Sequence, residues 1–300
     1  MSSKIIECIP NFSEARRPSV LEEIKKSILE IDNINLLNIH SDTDHNRSVF
    51  TYIGDPVNIK KATFNAIKKA SELIDMNFHR GAHPRIGATD VVPFVPLRNA
   101  TIEDCKSIAL SIAKKVGQEL KIPVYLYEES AVSPDRKNLE NIRRGQFEKL
   151  KNEIQNDPKR KPDFGPSILH SSGATVIGAR NPLIAYNVYL TSDDITIAQK
   201  IAKAIRYSSG GLRYIKAMGV LVDGKAQVSM NLTNFKKTPV HRVFELIKIE
   251  ANKYGVNVSN SELVGMIPEE ALIESAKWYL HLDDVGNNQI LEHNINSTFD

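Results

Sequence analysis

Apolar residues recur along this chain with two different periods. Alternation or an unbroken apolar run predicts strands near residues 4–9, 35–40, 47–53, 90–96 and 123–127, and a 3.6-residue period predicts helices near 18–30, 56–74, 101–118 and 137–151. A polar, lysine-rich passage, 152–162, then separates this half from a second series. Its strands are expected near 173–178, 183–190, 214–222, 226–232 and 257–264, and its helices near 194–207, 239–253 and 268–280. Local chemistry supports several of these elements. Asp55 ahead of Pro56 offers a cap and a preset first turn, which places Val57, Ala62, Ala66, Ile67, Ala70 and Leu73 on a buried helix face. Thr238 before Pro239 repeats that signal for Val240, Val243, Phe244 and Ile247. Alternating residues on either side of Asp223-Gly224-Lys225 predict a hairpin whose turn uses the positive φ open to glycine. Each half therefore reads β-α-β-β-α-β. The expected fold class is α+β: two ferredoxin-like βαββαβ subdomains, residues 1–179 and 180–300, with a ligand tunnel or cleft between them.

Composition narrows the function classes. The 300 residues carry 39 basic and 36 acidic side chains, a net charge of +3, which is too balanced for a polyanion partner. No segment carries the aromatic and basic pattern of RNA-recognition domains that share the β-α-β-β-α-β order, so no nucleic acid is expected. No stretch approaches the roughly 18 apolar residues of a membrane span, and Met1-Ser2-Ser3-Lys4 runs directly into a strand without a signal-peptide apolar region. A cytoplasmic location is the expectation. Cys8 and Cys105 sit in apolar contexts and offer no disulfide framework or metal-ligand spacing.

Candidate chemistry concentrates in three places. Residues 78–94 begin with Phe78-His79-Arg80-Gly81-Ala82-His83-Pro84-Arg85, two imidazoles and two guanidinia in a segment that Gly81 and Pro84 keep from being a helix. Imidazole titrates near neutral pH and arginine grips carboxylates bidentately, so the pairing suits proton transfer on an acidic substrate. His79 and His83 have the spacing of a helical zinc motif, but the broken helix and the missing glutamate argue against metal, and none is expected. Asp42-Thr43-Asp44-His45-Asn46-Arg47-Ser48-Val49 joins two strands with a dense polar set, suited either to orienting a substrate or to turn geometry. Residues 162–173, after Lys159-Arg160-Lys161, read equally as a linker between halves and as the lining of a ligand cleft.

At these three places, and in Cys8-Ile9-Pro10-Asn11-Phe12-Ser13-Glu14, Pro123-Val124-Tyr125-Leu126-Tyr127, residues 173–180 and Ser261-Glu262-Leu263-Val264-Gly265-Met266-Ile267-Pro268, the chain resembles the glutamate formiminotransferase family over nearly its full length. The resemblance implies transfer of a formimino group from N-formimino-L-glutamate to tetrahydrofolate, a co-substrate, in histidine breakdown. It implies two α/β subdomains with a folate tunnel between them. The family's catalytic histidine precedes Pro-Arg, which assigns that role to His83, expected to serve as general acid/base for both proton transfers. Its folate-binding stretch corresponds to Pro162, Asp163, Phe164, Gly165, Pro166, Ser167, Ile168, Leu169, His170 and Ser171. Phe164 or Ser171 would meet the pterin, and Lys159 or Lys161 the glutamate tail. Where animal relatives carry an aspartate this chain has His40, with Asp42 and Asp44 nearby, and Arg47, Arg80 and Arg85 are candidates for the substrate carboxylates. A homodimer is expected, with a separate cyclodeaminase acting downstream. Formyl transfer from formylglutamate or 5-formyltetrahydrofolate is an alternative that sequence leaves open.

Overall fold

The computed structural model describes residues 4–283, 285, 286, 289–293 and 295; the extreme ends of the two expected ranges, 1–3 and 296–300, lie outside the described residues. The chain divides into two units, Met1–Pro182 and Leu183–Asp300, each with its own sheet and apolar core. Both are mixed α/β, and the molecule is of the α+β class. No helix among the described residues is long and apolar enough to cross a membrane.

The first unit runs β1 (Ile6–Cys8), β2 (Asn11–Phe12), α1 (Pro18–Leu29), β3 (Asn35–Asp42), β4 (Arg47–Gly54), α2 (Asn58–Leu73), β5 (Thr89–Pro96), α3 (Ile102–Lys115), β6 (Val124–Glu128), α4 (Leu139–Ile142), α5 (Gln146–Glu153) and β7 (Thr175–Ala179). β1 and β2 are two pieces of one interrupted strand, because both pair antiparallel with β4 on one side and β5 on the other. Proline at position 10 explains the break, since it has no amide hydrogen to give the ladder. β3 flanks β4, so the first βαββαβ stretch makes an antiparallel sheet with its first strand in the middle. Beyond β5 the sheet continues in parallel, β5-β7-β6. Ile6, Phe50, Tyr52 and Phe94 are fully buried, and Phe12 meets Phe50 edge-on at 5.2 Å.

This parallel extension corrects the organisation expected from sequence. The strand placed at the head of the second series is β7 of the first sheet, seated between β5 and β6. The first unit is therefore larger than one βαββαβ motif, and residues 152–173 lie inside it rather than linking two halves. Periodicity alone cannot say which sheet a buried apolar strand joins. The long helix expected over 137–151 is also broken, by Gly145 at φ 77°, leaving the short α4 and α5. In α2 the Asp55 carboxylate does receive the amides of Val57 and Asn58, at 2.8 and 3.1 Å, but Val57 precedes the helix and is exposed while Ile59 and Thr63 join the buried face.

The second unit runs β8 (Ile184–Leu190), α6 (Ile195–Ile205), β9 (Ile215–Val222), β10 (Lys225–Leu232), α7 (Val240–Asn252), β11 (Val258–Val264) and α8 (Glu269–Leu280). Its strands order as β11-β8-β10-β9, all antiparallel. Val188, Val228, Met230, Ile201, Val243 and Ile247 fill its core. The hairpin forms with Val222 opposite Lys225 and positive φ at Asp223 and Gly224, 49° and 69°. Thr238 does not cap α7; its hydroxyl donates to the Arg213 carbonyl at 2.6 Å.

Candidate active site

The first unit brings the turn between β3 and β4 against the irregular segment between α2 and β5. Asn46, in left-handed backbone at φ 46°, is the clasp. Its side-chain oxygen accepts the Ala15 amide at 2.9 Å, its side-chain nitrogen donates to the Arg80 carbonyl at 3.0 Å, and its own carbonyl accepts from His79 at 2.9 Å. Asp42 ties the turn by accepting the amides of Asp44 and His45, both at 2.8 Å, and the Ala82 amide crosses to the Asp44 carbonyl at 3.1 Å. Gly81 fits here because it lacks a side chain: a Cβ at that position would lie 2.1 Å from the His45 carbonyl oxygen.

Asp90, at the start of β5, is fully buried. It is held by Arg47 from β4 at 2.7 Å, by Arg143 from the end of α4, and by the Ile86 amide at 3.0 Å. Burial alone would raise its pKa; the two guanidinia outweigh that and hold the carboxyl well below its usual range. Desolvation in turn lowers the Arg47 pKa to about 10, against the pull of Asp90. The cluster has two cations and one anion, leaving a local positive excess.

His83 lies beside it, half-buried. Its Nδ1 stands 2.7 Å from the Pro84 carbonyl oxygen, which can only accept, so Nδ1 carries the hydrogen and the Nε2 lone pair is left for another partner. Desolvation first, then the positive charges of Arg47 and Arg143, hold the imidazole well below its ordinary pKa, so it is neutral near pH 7. His79 is different. Its Nε2–H donates to Asn46 and its Nδ1 accepts Arg85 Nε–H at 3.1 Å, so both ring nitrogens are used. The Arg85 guanidinium also grips both Glu148 oxygens, at 2.9 and 2.6 Å, and the Gln146 side chain at 2.9 Å. Arg85 is thereby committed to holding the segment against α5.

Other residues singled out from sequence are placed as follows. Arg80 is exposed and spends Nη1 on the Asn77 and His79 carbonyls. His40 sits on β3 opposite Val49, and Asp42 opposite Arg47. Residues 162–171 form a strap within the first unit. Asp163 bonds Arg136 and the Leu126 amide, Phe164 exchanges backbone hydrogen bonds with Val124, and Gly165 takes φ 82°. Pro162 and Leu169 are buried, Pro166 and Ser167 half-buried, and Ile168, His170 and Ser171 exposed. Beside the strap, Arg136, Arg144, Lys159, Lys161, Asp135 and Asp163 help line a cavity of about 610 Å³. No group of three or more side chains able to hold a metal occurs among the described residues.

Sequence reasoning did not assign Asp90, Arg143 or His45. For Asp90 a signal existed: a carboxylate opening an otherwise apolar strand must find cations once buried. Arg143 was hidden in the expected long helix; in the structure it directly follows the short α4 and pairs with Asp90.

A neutral imidazole with a free lone pair, set beside buried guanidinia on an α+β frame, defines a class of protein equipped to hold an anionic ligand against a proton acceptor. Comparison with known proteins narrows the class. Residues 5–180 match the family described as "Formiminotransferase domain, N-terminal subdomain", and residues 185–296 the one described as "Formiminotransferase domain". The chain belongs to the formiminotransferase family. It is similar to the glutamate formimidoyltransferase of Streptococcus pyogenes serotype M1, with 47% identity over 98% of this chain and 99% of that one. The enzyme of the same name from Thermoplasma acidophilum is 48% identical, with 96% of each chain covered. The formimidoyltransferase-cyclodeaminase of Mus musculus is 39% identical over 92% of this chain, which corresponds to 52% of that longer protein.

Proposed function

We propose that this chain transfers the formimino group of N-formimino-L-glutamate to tetrahydrofolate, giving 5-formiminotetrahydrofolate and L-glutamate, with His83 as the proton acceptor. The observation that carries this reading is the His83 ring itself: Nδ1 pinned by a carbonyl, Nε2 unspent, neutral at working pH. The secondary amine at position 5 of the pterin must lose a proton as it attacks the formimino carbon, and a neutral imidazole lone pair can take it. The positive excess at Arg47 and Arg143 favours an anionic donor substrate, and Arg80 adds an exposed guanidinium on the segment that bears His83. Arg85 supports the segment instead. The strap 162–171 and its basic cavity suit the folate, with Phe164 or Ser171 toward the pterin and Lys159 or Lys161 toward its carboxylates.

Each unit contains a βαββαβ stretch whose first strand lies between the fourth and the third, and we assign both to the ferredoxin-like class, the first with a parallel extension. A cytoplasmic homodimer is expected, checked by sedimentation of the purified chain. A separate cyclodeaminase would act on the product, in keeping with the fusion of both names in the mouse relative. The direct test replaces His83 with asparagine and follows 5-formiminotetrahydrofolate formation spectroscopically. Turnover is expected to fall by about 10²–10⁴-fold with tetrahydrofolate binding retained. Turnover within a few-fold of wild type would remove His83 from the chemistry.

A further inference from the structure

A second imidazole stands at the same centre. His45, on the turn between β3 and β4, is 8% exposed, and its Nδ1 has no hydrogen-bond partner among the described residues. Its Nε2 faces the Asp42 Oδ2 at 3.7 Å, while the other Asp42 oxygen is fixed by the His45 and Asp44 amides. The ring meets that of His83 edge to face, with centroids 5.7 Å apart and planes inclined by 71°. An unpaired nitrogen on a buried ring is a cost that folds usually avoid. The backbone that carries the ring is also braced. Asp42 locks the turn, the Ala82 amide reaches its Asp44 carbonyl, and Gly81 packs on the His45 carbonyl.

We infer that His45 is the proton donor to the departing nitrogen, working opposite His83 and oriented by Asp42. This rests on the reading of His83 as the acceptor. The reaction needs one proton removed and one supplied at different atoms. The pterin N5–C bond forms as the formimino π pair moves to the imino nitrogen, and His83 Nε2 takes the N5 proton. The bond from that carbon to the glutamate nitrogen then breaks with its electron pair on nitrogen, which takes a proton from His45 Nδ1, and the C=N bond reforms. His83 has gained one proton and His45 has lost one; return of a proton from the first ring to the second closes the cycle. Asp42 faces the donor ring on its Nε2 side, and Nδ1 is engaged by no protein group among the described residues, so a proton carried there is not tied up by the fold. The charged and titratable groups around it are Asp42 and Asp44 on its own turn, Arg47 on β4, Arg16, whose Nε–H donates to the Thr43 carbonyl, and His83 on the facing segment. Asp90 and Arg143 act on the His83 ring.

The test compares His45→Gln with His83→Asn in the full chain, reading kcat and KM for formiminoglutamate across pH. With H45Q, kcat is expected to fall about 10²-fold while KM stays within about three-fold, and the alkaline limb of the kcat profile disappears; H83N removes the acid limb instead. An H45Q enzyme with both limbs intact, whether at full rate or with only KM raised, overturns the assignment. If H45Q alone keeps its turnover, the donor role fails and the His83 reading stands; if H83N keeps turnover, both fail. Should H45Q not fold, nitrogen NMR of histidine-labelled wild type decides. His45 is expected to carry protons on both nitrogens at the pH of fastest turnover, and a ring that is neutral there overturns the proposal.

Discussion

Asp90 is the residue on which the centre turns, because one fully buried carboxylate compensates two guanidinia from different elements. Replacing it with asparagine leaves Arg47 and Arg143 buried without a counter-charge. Asp90→Asn is expected to destabilise the fold by about 3–5 kcal/mol, read as a shift of the urea midpoint, and to lower the His83 pKa further because an opposing negative charge has gone. An unchanged midpoint would mean that the cluster is more hydrated than its burial implies. At this scale sequence was half legible. His83 stood out through the imidazole and its Pro-Arg neighbours, and so did Arg47. Nothing in their spacing told that Arg85 would be consumed by Glu148, or that His79 would be locked between Asn46 and Arg85. Asn46 and Glu148 lie 33 and 63 positions away from the residues they hold, and long-range pairing is not written in local pattern.

The elements that carry the site are short loops braced by longer ones. Gly81→Ala places a Cβ 2.1 Å from the His45 carbonyl oxygen, so the His83 segment must lift off the β3–β4 turn. Turnover is expected to drop on the order of 10²-fold, because about 1 Å of misplacement costs that much in oriented catalysis, while far-ultraviolet circular dichroism stays as in the wild type. Thr101→Ala is the contrasting case. Thr101 and Asp104 exchange both bonds of a capping box at the start of α3 and bond none of the site residues described above. Its loss is expected to cost about 0.5–2 kcal/mol, seen as a lower melting temperature, with kcat unchanged. Strong helices and the β9–β10 hairpin were readable because cap, period and turn residue agree locally. The helix break at Gly145 and the split of β1 from β2 were not read, since a glycine or proline inside a periodic run signals weakening without saying whether the element yields.

For the whole molecule, acid should be the destabilising direction. His79 and His83 are held below their ordinary pKa of 6.5, so over the interval between that value and their folded values the unfolded chain binds more protons than the folded one. Stability is then expected to be level at about pH 7–8 and to fall as pH drops below about 6.5, with His83→Asn flattening the upper part of the decline. Asp90 adds a later loss: its contribution is present above the ordinary carboxylate pKa of 3.8 and disappears as pH falls toward its lower folded value. Denaturant titrations from pH 8 to about 2 measure both losses, and a midpoint that rises on acidification would contradict them. The α+β class and the irregular segment bearing His83 followed from sequence alone, because hydrophobic period, glycine, proline and side-chain chemistry act over a few residues. Which sheet β7 joins, how Asp90 gathers its arginines and that His45 lies against His83 were decided only by the tertiary structure. Each depends on contacts between distant segments, formed to cover apolar surface and neutralise buried charge, and such contacts have no local signature.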